Sequence, residues 1–359
     1  MPLFTADPIV TLVIESGVVL IPATAYLGWL AARGARALRD RHGYRPDVIV
    51  GHSGWGETLF LREIWPEARL LVYAELMYRT QGQDVGFDPE ISPGTDEARV
   101  STVARSAHLI QAMLQADAGL CPTRYQADSF PPELRRKLTV IHDGIDTARV
   151  RPDPSATVTL PNGVRLRPGD EVVTYVARNL EPYRGFHTFM RALPDLLAAR
   201  PRATVLVVGG DDVSYGRRLP PGESYRARML AEVKLPPGRV HFLGQIAYAD
   251  YLRVLQISAA HVYLTYPFVL SWSLLGAMAL ERPLVLSDTG PVRDFFDGEA
   301  GGLLVDFFDA QGLAERLVHL AGQPAQRERL GRRARELLFA HELTREHGRR
   351  KWLDLILSL

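Results

Sequence analysis

The stretch EVVTYVARNLEPYRGFHTFMRALPDLLAARPRATVLVVGG, residues 171 to 210, has the pattern of a strand, a helix and a second strand. Aliphatic runs stand at both ends, and HTFMRALPDLLAARP between them has apolar residues at helical spacing. Two strands that are joined by a helix run parallel in one sheet. The stretch therefore predicts a β-α-β unit in a sheet that is covered by helices.

The same alternation continues on both sides of this unit. Strand-like runs follow at VHFLGQ, AHVYLTY, PLVLSD and GGLLVDF, and others precede it at DVIVGH, ARLLVYAE, AGLCPT and LTVIHDGID. Six strands that alternate with helices complete a doubly wound domain. The sequence thus predicts an α/β chain of two facing Rossmann-like domains, which bind ligands at the carboxyl ends of their strands.

The composition of residues 148 to 170, rich in Pro, Gly and charge, is typical of a linker. We expect an N-terminal domain over residues 1–150, a linker over 151–170 and a C-terminal domain over 171–330. A charged helical tail over residues 331–359 should pack across the domains.

The overall charge excludes some classes of partner. The 359 residues contain 42 Lys and Arg against 41 Asp and Glu, so no global field attracts nucleic acid or an anionic membrane. The single cysteine, Cys121, cannot form an internal disulfide, which favours a buried thiol and a cytoplasmic protein.

An apolar run near the N-terminus, PIVTLVIESGVVLIPATAYLGWLAA, contains Glu15, Gly17 and Pro22 and follows no Lys or Arg. This pattern predicts neither a signal peptide nor a membrane span. We expect a buried strand and helix here, with at most a peripheral membrane contact.

The strand ends of the C-terminal domain carry candidate ligand-binding residues. Arg178 ends the first strand and Arg184 follows beside a helix start, so two guanidiniums could clamp a diphosphate, or be solvated on a surface loop. Gly209 and Gly210 end the second strand and allow close approach of a ligand, although they form no G-x-G-x-x-G motif. Gly244 ends the third strand, where the backbone could contact a nucleobase or simply turn.

The fourth strand leads into FVLSWSLLGAMALERP, residues 268 to 283, which reads as a helix start followed by a core helix. Ser271 and Ser273 are good N-cap residues, and Trp272 begins the apolar periodicity. The amides from Ser271 to Leu274 and the positive end of the helix predict a diphosphate site.

These ordered motifs resemble the donor-binding half of retaining GT-B glycosyltransferases of family four, also called group 1. PDVIVGHSGWGE, QGQDVGFDPE, CPTRYQADSF and VIHDGID in the first half support the resemblance, which runs from about residue 45 to about residue 320. It implies a hexosyltransferase-type enzyme that moves a sugar from a nucleotide-diphosphate sugar to an acceptor hydroxyl with retention.

The resemblance also implies that no metal or other cofactor is needed. An arginine, a second basic residue and a helix N-terminus balance the leaving diphosphate, and these roles fall to Arg178, Arg184 and the amides near Ser271 to Leu274. The sequence has no D-x-D pair, H-E-x-x-H motif or cysteine cluster for a metal.

Two features depart from the family pattern. The family usually carries two glutamates across this helix, the second for the ribose hydroxyls, and Phe268 and Gly276 occupy those positions. Glu281 cannot substitute, because five residues along a helix correspond to roughly 140° and about 7.5 Å. Gly276 costs the helix roughly 1 kcal/mol and serves either close packing or a site under relaxed selection. We therefore expect a weakened donor site.

The second departure is an N-terminal domain that looks shorter than the family's by about two βα units. Either the acceptor site is reduced, or a second copy of the chain completes the sheet as a homodimer.

Acceptor-side candidates follow the first two strands of the N-terminal half. His52 precedes Ser53, Gly54 and Trp55, and it could hydrogen-bond a sugar hydroxyl, shuttle a proton or cap a turn. Glu75 and Asp84 could orient an acceptor or form salt bridges. In HDGID, we expect structural roles for His142, Asp143 and Asp146, with Gly144 at the turn.

Three functions remain open at this point. The chain is a glycosyltransferase, a catalytically silent binding or scaffold protein of the same fold, or a nucleotide-sugar epimerase. The missing glutamates disfavour the epimerase, which needs carboxylates for acid and base work. The donor base, the sugar and the acceptor are open as well.

Overall fold

The computed structural model describes residues 9–14, 17–296, 298 and 301–359. Its first elements are strands β1 (Ile9–Ile14) and β2 (Gly17–Pro22), which pair antiparallel, and helix α1 (Ala23–His42). The sequence predicts that this strand region is buried, but Glu15 and the side chains of β1 and β2 lie outside the residues that the structure describes. Helix α1 exposes the side chains of Leu27, Trp29 and Leu30. No helix in the described part of the chain is long and apolar enough to cross a membrane.

A parallel sheet of four strands follows, with its strands in chain order: β3 (Val48–His52), β4 (Arg69–Tyr73), β5 (Ala118–Cys121) and β6 (Leu138–Val140). The segments between them form the 3-10 helix Ser53–Trp55 and helices α2 (Leu61–Ile64), α3 (Asp96–Gln115), α4 (Arg124–Ala127) and α5 (Pro132–Arg135). Thr95 caps α3, since its side chain accepts a hydrogen bond from the Ala98 amide. Cys121 is fully buried in this core, and burial raises the pKa of its thiol.

The segment that the sequence predicts as a linker contains two short antiparallel strands, β7 (Val158–Thr159) and β8 (Arg165–Leu166). Leu160 and Leu166 are buried beside Val172 and Leu206 of the following domain. This hairpin therefore contributes to the hydrophobic core of that domain.

Six parallel strands form the larger sheet, as the sequence predicts: β9 (Val172–Asn179), β10 (Thr204–Gly210), β11 (Val240–Gly244), β12 (Ala260–Tyr263), β13 (Leu284–Ser287) and β14 (Leu303–Val305). Their spatial order is β11-β10-β9-β12-β13-β14. This is the doubly wound order, in which the chain reverses direction across the sheet between β9 and β12. The central strands are almost entirely buried, which explains their continuous aliphatic sequences.

The helices of this half are α6 (Phe186–Ala199), α7 (Tyr225–Glu232), α8 (Tyr248–Gln256), α9 (Trp272–Ala279), α10 (Gly290–Arg293), α11 (Ala310–Ala321), α12 (Pro324–Ala340) and α13 (Arg345–Leu357). A 3-10 helix, Pro182–Arg184, precedes α6. Helix α6 packs against α11, while α8 and α12 pack against α9. The two groups of helices supply the two layers that a doubly wound sheet needs.

The chain divides into two compact units. The first contains residues up to Val85, residues Gly94–His142 and residues Arg349–Leu359, and the second contains Gly86–Pro93 and Asp143–Gly348. The α/β class and the doubly wound sheet are confirmed. The domain limits at residues 150, 170 and 330, and the shortening of the first domain, stay predictions.

Candidate functional site

A pocket of about 790 Å³ lies within the second unit at the carboxyl ends of its strands. Its walls include Arg178 of β9, Gly209 of β10, Gln245 directly after β11 and Ser271 before α9. Helix α9 follows β12, so the pocket lies where the strand order reverses between β9 and β12. Doubly wound sheets bind their ligands at this position.

The start of α9 forms one wall of the pocket through Ser271, Trp272 and Ser273. The Ser271 hydroxyl caps the helix by accepting a hydrogen bond of 3.3 Å from the Ser273 amide, and the Leu274 amide donates to the Ser271 carbonyl at 3.1 Å. Leu274 itself is fully buried in the core. The long cap bond is one that an anionic ligand oxygen could replace, and the helix dipole favours such a ligand.

Three arginines and one aspartate line this pocket. Arg178 is exposed, and no hydrogen bond or ion pair from another described residue engages its side chain. Arg345 Nη1 lies 3.1 Å from Asp146 Oδ2, and Arg149 donates its amide to Asp146 Oδ1. The pocket therefore carries a net positive charge, which suits an anionic ligand.

Two tyrosines of α8 also line the pocket. The rings of Tyr248 and Tyr251 are 5.5 Å apart, and the Arg149 guanidinium lies 5.0 Å from the Tyr248 ring. Burial raises the pKa of the Tyr251 hydroxyl, which stays protonated at neutral pH.

Arg184 is placed differently from Arg178. Its side chain is buried, and Nη1 donates to Thr265 Oγ1 at 2.6 Å and to the Val269 carbonyl at 3.0 Å. The guanidinium also lies 5.4 Å from the Tyr215 ring. It is not among the residues lining the pocket, so the structure does not bring the two predicted arginines together there.

At the positions of the two missing glutamates, the space is occupied by the Phe268 ring and, beside Gly276, by the Tyr251 hydroxyl. Phe268 is buried, with its ring centre 5.7 Å from that of Tyr183 and 5.3 Å from that of Tyr215. A Cβ atom on Gly276 would lie 2.7 Å from the Tyr251 hydroxyl, closer than real contacts allow. Glu281 follows the end of α9, with Oε1 3.8 Å from Arg335 Nε, and does not line the pocket.

Local packing and backbone conformation explain why glycine occupies positions 210 and 244. A Cβ on Gly210 would meet the side chains of Asn179 and Gln245 at 2.6 and 2.7 Å. Gly244 has a φ of 65°, a left-handed conformation that favours glycine at the end of β11. Neither residue lines the pocket, whereas Gln245 and Ile246 directly after β11 do.

In the first unit, the predicted acceptor residues gather around His52. Its Nδ1 accepts a hydrogen bond of 2.9 Å from the Gly54 amide, so a neutral ring carries its proton on Nε2, which lies 3.3 Å from Glu75 Oε2. The rings of Tyr73 and Trp55 both stack with the His52 ring, at centroid distances of 5.2 and 5.0 Å, and Trp55 is largely exposed. His52 thus caps the turn through Nδ1, while Nε2 and Glu75 stay available for the predicted role in acceptor binding.

Two other predicted acceptor residues are buried. Ser53 is fully buried, with its hydroxyl 3.4 Å from the carbonyls of Tyr73 and Ala74. Asp84 is 4% exposed. Their burial gives a ligand little access to either side chain.

The sequence interpretation missed several residues. Arg149, Arg345, Tyr248 and Tyr251 line the pocket, as does Asp146, for which it expected only a structural role. They come from loops and helices rather than strand ends. The spacing of Tyr248 and Tyr251, three apart in a helical segment, was the one available signal.

No cluster of three His, Cys, Asp or Glu side chains that could hold a metal ion occurs among the residues that the structure describes. Metal independence stays a prediction.

The fold and the pocket are those of the doubly wound α/β proteins. Two family models match consecutive parts of the chain: the glycosyl transferase family 4 group over residues 20–150 and the glycosyl transferases group 1 over residues 160–337. The chain belongs to these group 1, GT-B glycosyltransferases. The family resemblance drawn from the motifs is confirmed, and retention of configuration stays a prediction.

Curated relatives are distant. A D-inositol 3-phosphate glycosyltransferase of Nocardioides is 26% identical over 264 residues, which cover 70% of this chain and 54% of that protein. A glycogen synthase of Mycobacterium tuberculosis is 26% identical over 333 residues, which cover 87% of this chain and 71% of that protein. The chain spans about half the length of several of the curated relatives it matches.

Solved structures agree on the fold. HepE of Anabaena, determined in complex with UDP-glucose, has a TM-score of 0.68 at 17% identity and covers 93% of this chain and 84% of its own. Sucrose-phosphate synthase of Thermosynechococcus elongatus also has a TM-score of 0.68, at 21% identity, and covers 98% of this chain and 85% of its own. At these identities the likeness extends to the fold alone.

Proposed function

We propose that the chain transfers a sugar from a nucleoside-diphosphate sugar to an acceptor hydroxyl, and that the pocket of the second unit binds the donor. The observation that carries the proposal is the net positive pocket at the strand-order reversal, bounded by Arg178 and the start of α9. Charge, helix dipole and position all favour a diphosphate there. Family membership supports the same reaction.

Arg178 has the leading role in this proposal. When the bond between the sugar C1 and the diphosphate oxygen breaks, negative charge grows on the diphosphate, and a guanidinium that is already in place stabilises it. The α9 dipole acts on the same charge. Arg184 is assigned a positioning role, since its hydrogen bonds to Thr265 and Val269 fix the loop that precedes α9.

Arg178→Gln tests the donor site. We expect affinity for UDP or GDP, measured by calorimetry, to fall about tenfold to a hundredfold, because a charge-assisted contact is lost. Folding should be unaffected, since Arg178 is exposed. Arg202→Gln is the matched control: Arg202 is also exposed, in the same unit, and pairs with Glu171 outside this pocket. Equal affinity in Arg178→Gln and the parent protein would exclude this pocket as the diphosphate site.

The acceptor is proposed to bind in the first unit at His52, Glu75 and Trp55. The exposed Trp55 ring offers a stacking surface for a sugar ring, and the His52–Glu75 pair offers hydrogen bonds to its hydroxyls. Relatives are named for D-inositol 3-phosphate, for a phosphatidylinositol monomannoside and for glycogen synthesis. A screen with UDP-glucose and GDP-mannose as donors should therefore include a cyclitol phosphate and an oligosaccharide as acceptors.

Retention of the anomeric configuration and a weakened donor site belong to the proposal as implications of the resemblance. NMR of the product tests the first, since an α-linked donor should give an α-linked product. A cytoplasmic location, a homodimer and at most peripheral membrane contact are proposed on the sequence alone.

A catalytically silent binding protein is the second candidate. It is favoured by Phe268, which is buried among aromatic rings where the resemblance implies a carboxylate near the sugar. Nucleotide-sugar binding with neither transfer nor donor hydrolysis in the screen would support it. The appearance of an epimeric donor in the absence of acceptor would instead support an epimerase.

A further inference from the structure

Tyr251, which lines the pocket of the second unit, and Gly276, which is buried in α9, form a matched pair. Tyr251 extends from α8 so that its hydroxyl lies over Gly276 of α9, at the place that the Cβ atom of any other residue would approach to 2.7 Å. The next nearest atoms to that Cβ would be at 3.7 and 3.8 Å, which are ordinary contacts. The hydroxyl is therefore the group that a side chain at position 276 would have to displace.

Tyr251 is partly buried and lines the pocket, and its hydroxyl makes no hydrogen bond to another residue that the structure describes. Tyr251 lines the pocket, so a ligand that fills the pocket can supply the partner. A phenol hydroxyl both donates and accepts a hydrogen bond, so it can pair with a hydroxyl of the ligand in either direction.

The position of the pair along α9 indicates which part of the ligand it meets. Gly276 comes five residues after the cap residue Ser271, which corresponds to about 7.5 Å along the helix. A diphosphate at the helix start would thus place a directly attached ring beside Tyr251. The pocket lining also includes Tyr248 and, directly after β11, Gln245 and Ile246, and its volume of about 790 Å³ is sufficient for a nucleotide.

We propose that the Tyr251 hydroxyl hydrogen-bonds a ribose hydroxyl of the donor nucleotide, and that Gly276 is retained to admit it. This inference rests on the proposed donor site. The neutral phenol replaces a carboxylate in this role, so the donor site is rebuilt around a tyrosine rather than lost. Inserting glutamate at Gly276 would then displace the Tyr251 hydroxyl instead of restoring affinity.

Tyr251→Phe tests the contact with ribose. Calorimetry with UDP and GDP, and with their 2′-deoxy and 3′-deoxy counterparts, should show that the parent protein prefers at least one ribonucleotide to its deoxy form by about threefold to tenfold, as expected for one neutral hydrogen bond. In Tyr251→Phe this preference should disappear. Tyr248→Phe, on the same helix and also in the pocket lining, is the matched control and should keep it.

The outcomes separate this inference from the proposed function. If the parent protein binds neither UDP nor GDP, the donor site is wrong and the ribose contact with it. If it binds them and Tyr251→Phe retains the full preference, only the ribose contact is overturned. If Tyr251→Phe weakens UDP-glucose or GDP-mannose but not the free diphosphates, the hydroxyl contacts the transferred sugar and the ribose assignment is overturned.

The pairing of the two residues has its own test, which needs no ligand. Gly276→Ala should lower Tm in the parent protein, because the new Cβ meets the hydroxyl, and should raise it by about 2 to 4 °C in Tyr251→Phe, where only the helix propensity of alanine remains. A change of the same sign in both backgrounds would overturn the pairing.

Discussion

Glu75 combines an unfavourable backbone conformation with a candidate functional role. Its φ is 55°, in the left-handed region, which disfavours residues with a Cβ by about 1 kcal/mol or more. The residue follows β4, its carbonyl accepts a hydrogen bond from Gln126 Nε2, and its carboxylate reaches His52. Conformational strain at a residue whose carboxylate contacts a histidine is consistent with a side chain that is kept for its chemistry.

Glu75→Gly should separate stability from function. We expect the free energy of unfolding to stay equal or rise by up to about 1 kcal/mol, because glycine relieves the left-handed strain. Sugar transfer to the acceptor should fall at least tenfold, since the partner of His52 is lost, while nucleotide affinity stays unchanged.

Glu342→Gly is the control for this substitution. Glu342 also has a positive φ, 59°, and also lies 3.1 Å from a histidine, His347, but at the end of α12. It should gain similar stability without loss of transfer. Transfer at the parent rate in Glu75→Gly would remove Glu75 from the acceptor site.

At the scale of elements, β12 is a fully buried central strand that contains a histidine. His261 lies between β9 and β13 with Nδ1 2.9 Å from Thr174 Oγ1. Burial lowers the pKa of His261 from 6.5 to about 4, because the charged ring would lose its hydration. The strand is therefore compatible only with the neutral ring at moderate pH.

This pKa makes the stability of the second unit depend on pH. Well above pH 6.5 the ring is neutral in both the native and the unfolded state, and His261 contributes no pH dependence. As the pH falls from 6.5 to about 4, the unfolded chain binds a proton that the native strand excludes, so the free energy of unfolding falls by about 3 kcal/mol in total.

Urea denaturation across this pH range measures the effect. His261→Asn keeps a hydrogen-bonding group toward Thr174 but does not titrate, so its stability should change less between pH 6.5 and 4 than that of the parent. His241→Asn on the partly exposed strand β11 is the control and should keep the parent dependence. Identical slopes in His261→Asn and the parent would show that the ring is not the cause.

The ten strands predicted from the sequence are present because each is an aliphatic run between turn residues, a local signal. The hairpin of β7 and β8 was missed, although Asn162 and Gly163 at its turn are a recognised hairpin signal. Arg178 was placed correctly at a strand end, since that position follows from the strand alone.

The contacts of Arg184 and Tyr251 could not be predicted in the same way. Arg184 contacts a loop about 80 residues later, and Tyr251 reaches across to a different helix. Such contacts depend on tertiary packing, on which a single sequence carries no periodic signal. The absence of a Cβ at Gly276 is visible in the sequence, but the hydroxyl that requires it is not.

At the scale of the whole molecule, the two units are not continuous in sequence. Residues Gly86–Pro93 belong to the second unit although the chain on both sides belongs to the first. Asp88 connects this segment to the rest of the second unit. Its Oδ2 accepts a hydrogen bond of 2.7 Å from the Tyr266 hydroxyl and lies 3.2 Å from His187 Nε2. All three side chains are buried. Burial acts to raise the pKa of Asp88, but the close contact with His187 and the hydrogen bond from Tyr266 outweigh it and keep the pKa below its usual value.

Asp88→Asn should therefore destabilise the second unit. In the native protein Oδ1 accepts hydrogen bonds from the backbone amides of Glu90 and Ile91, while Oδ2 contacts Tyr266 and His187. An asparagine side chain has a single oxygen, so it cannot accept at both positions. We expect a loss of about 2 to 3 kcal/mol, seen by calorimetry as a drop in Tm of several degrees. Asp96→Asn, which removes an exposed carboxylate that pairs with Arg99 on the surface of α3, should leave Tm within about 1 °C. If Asp88→Asn behaves like Asp96→Asn, the segment Gly86–Pro93 does not hold to the second unit in solution, and the stability of that unit comes from residues after Asp143 alone.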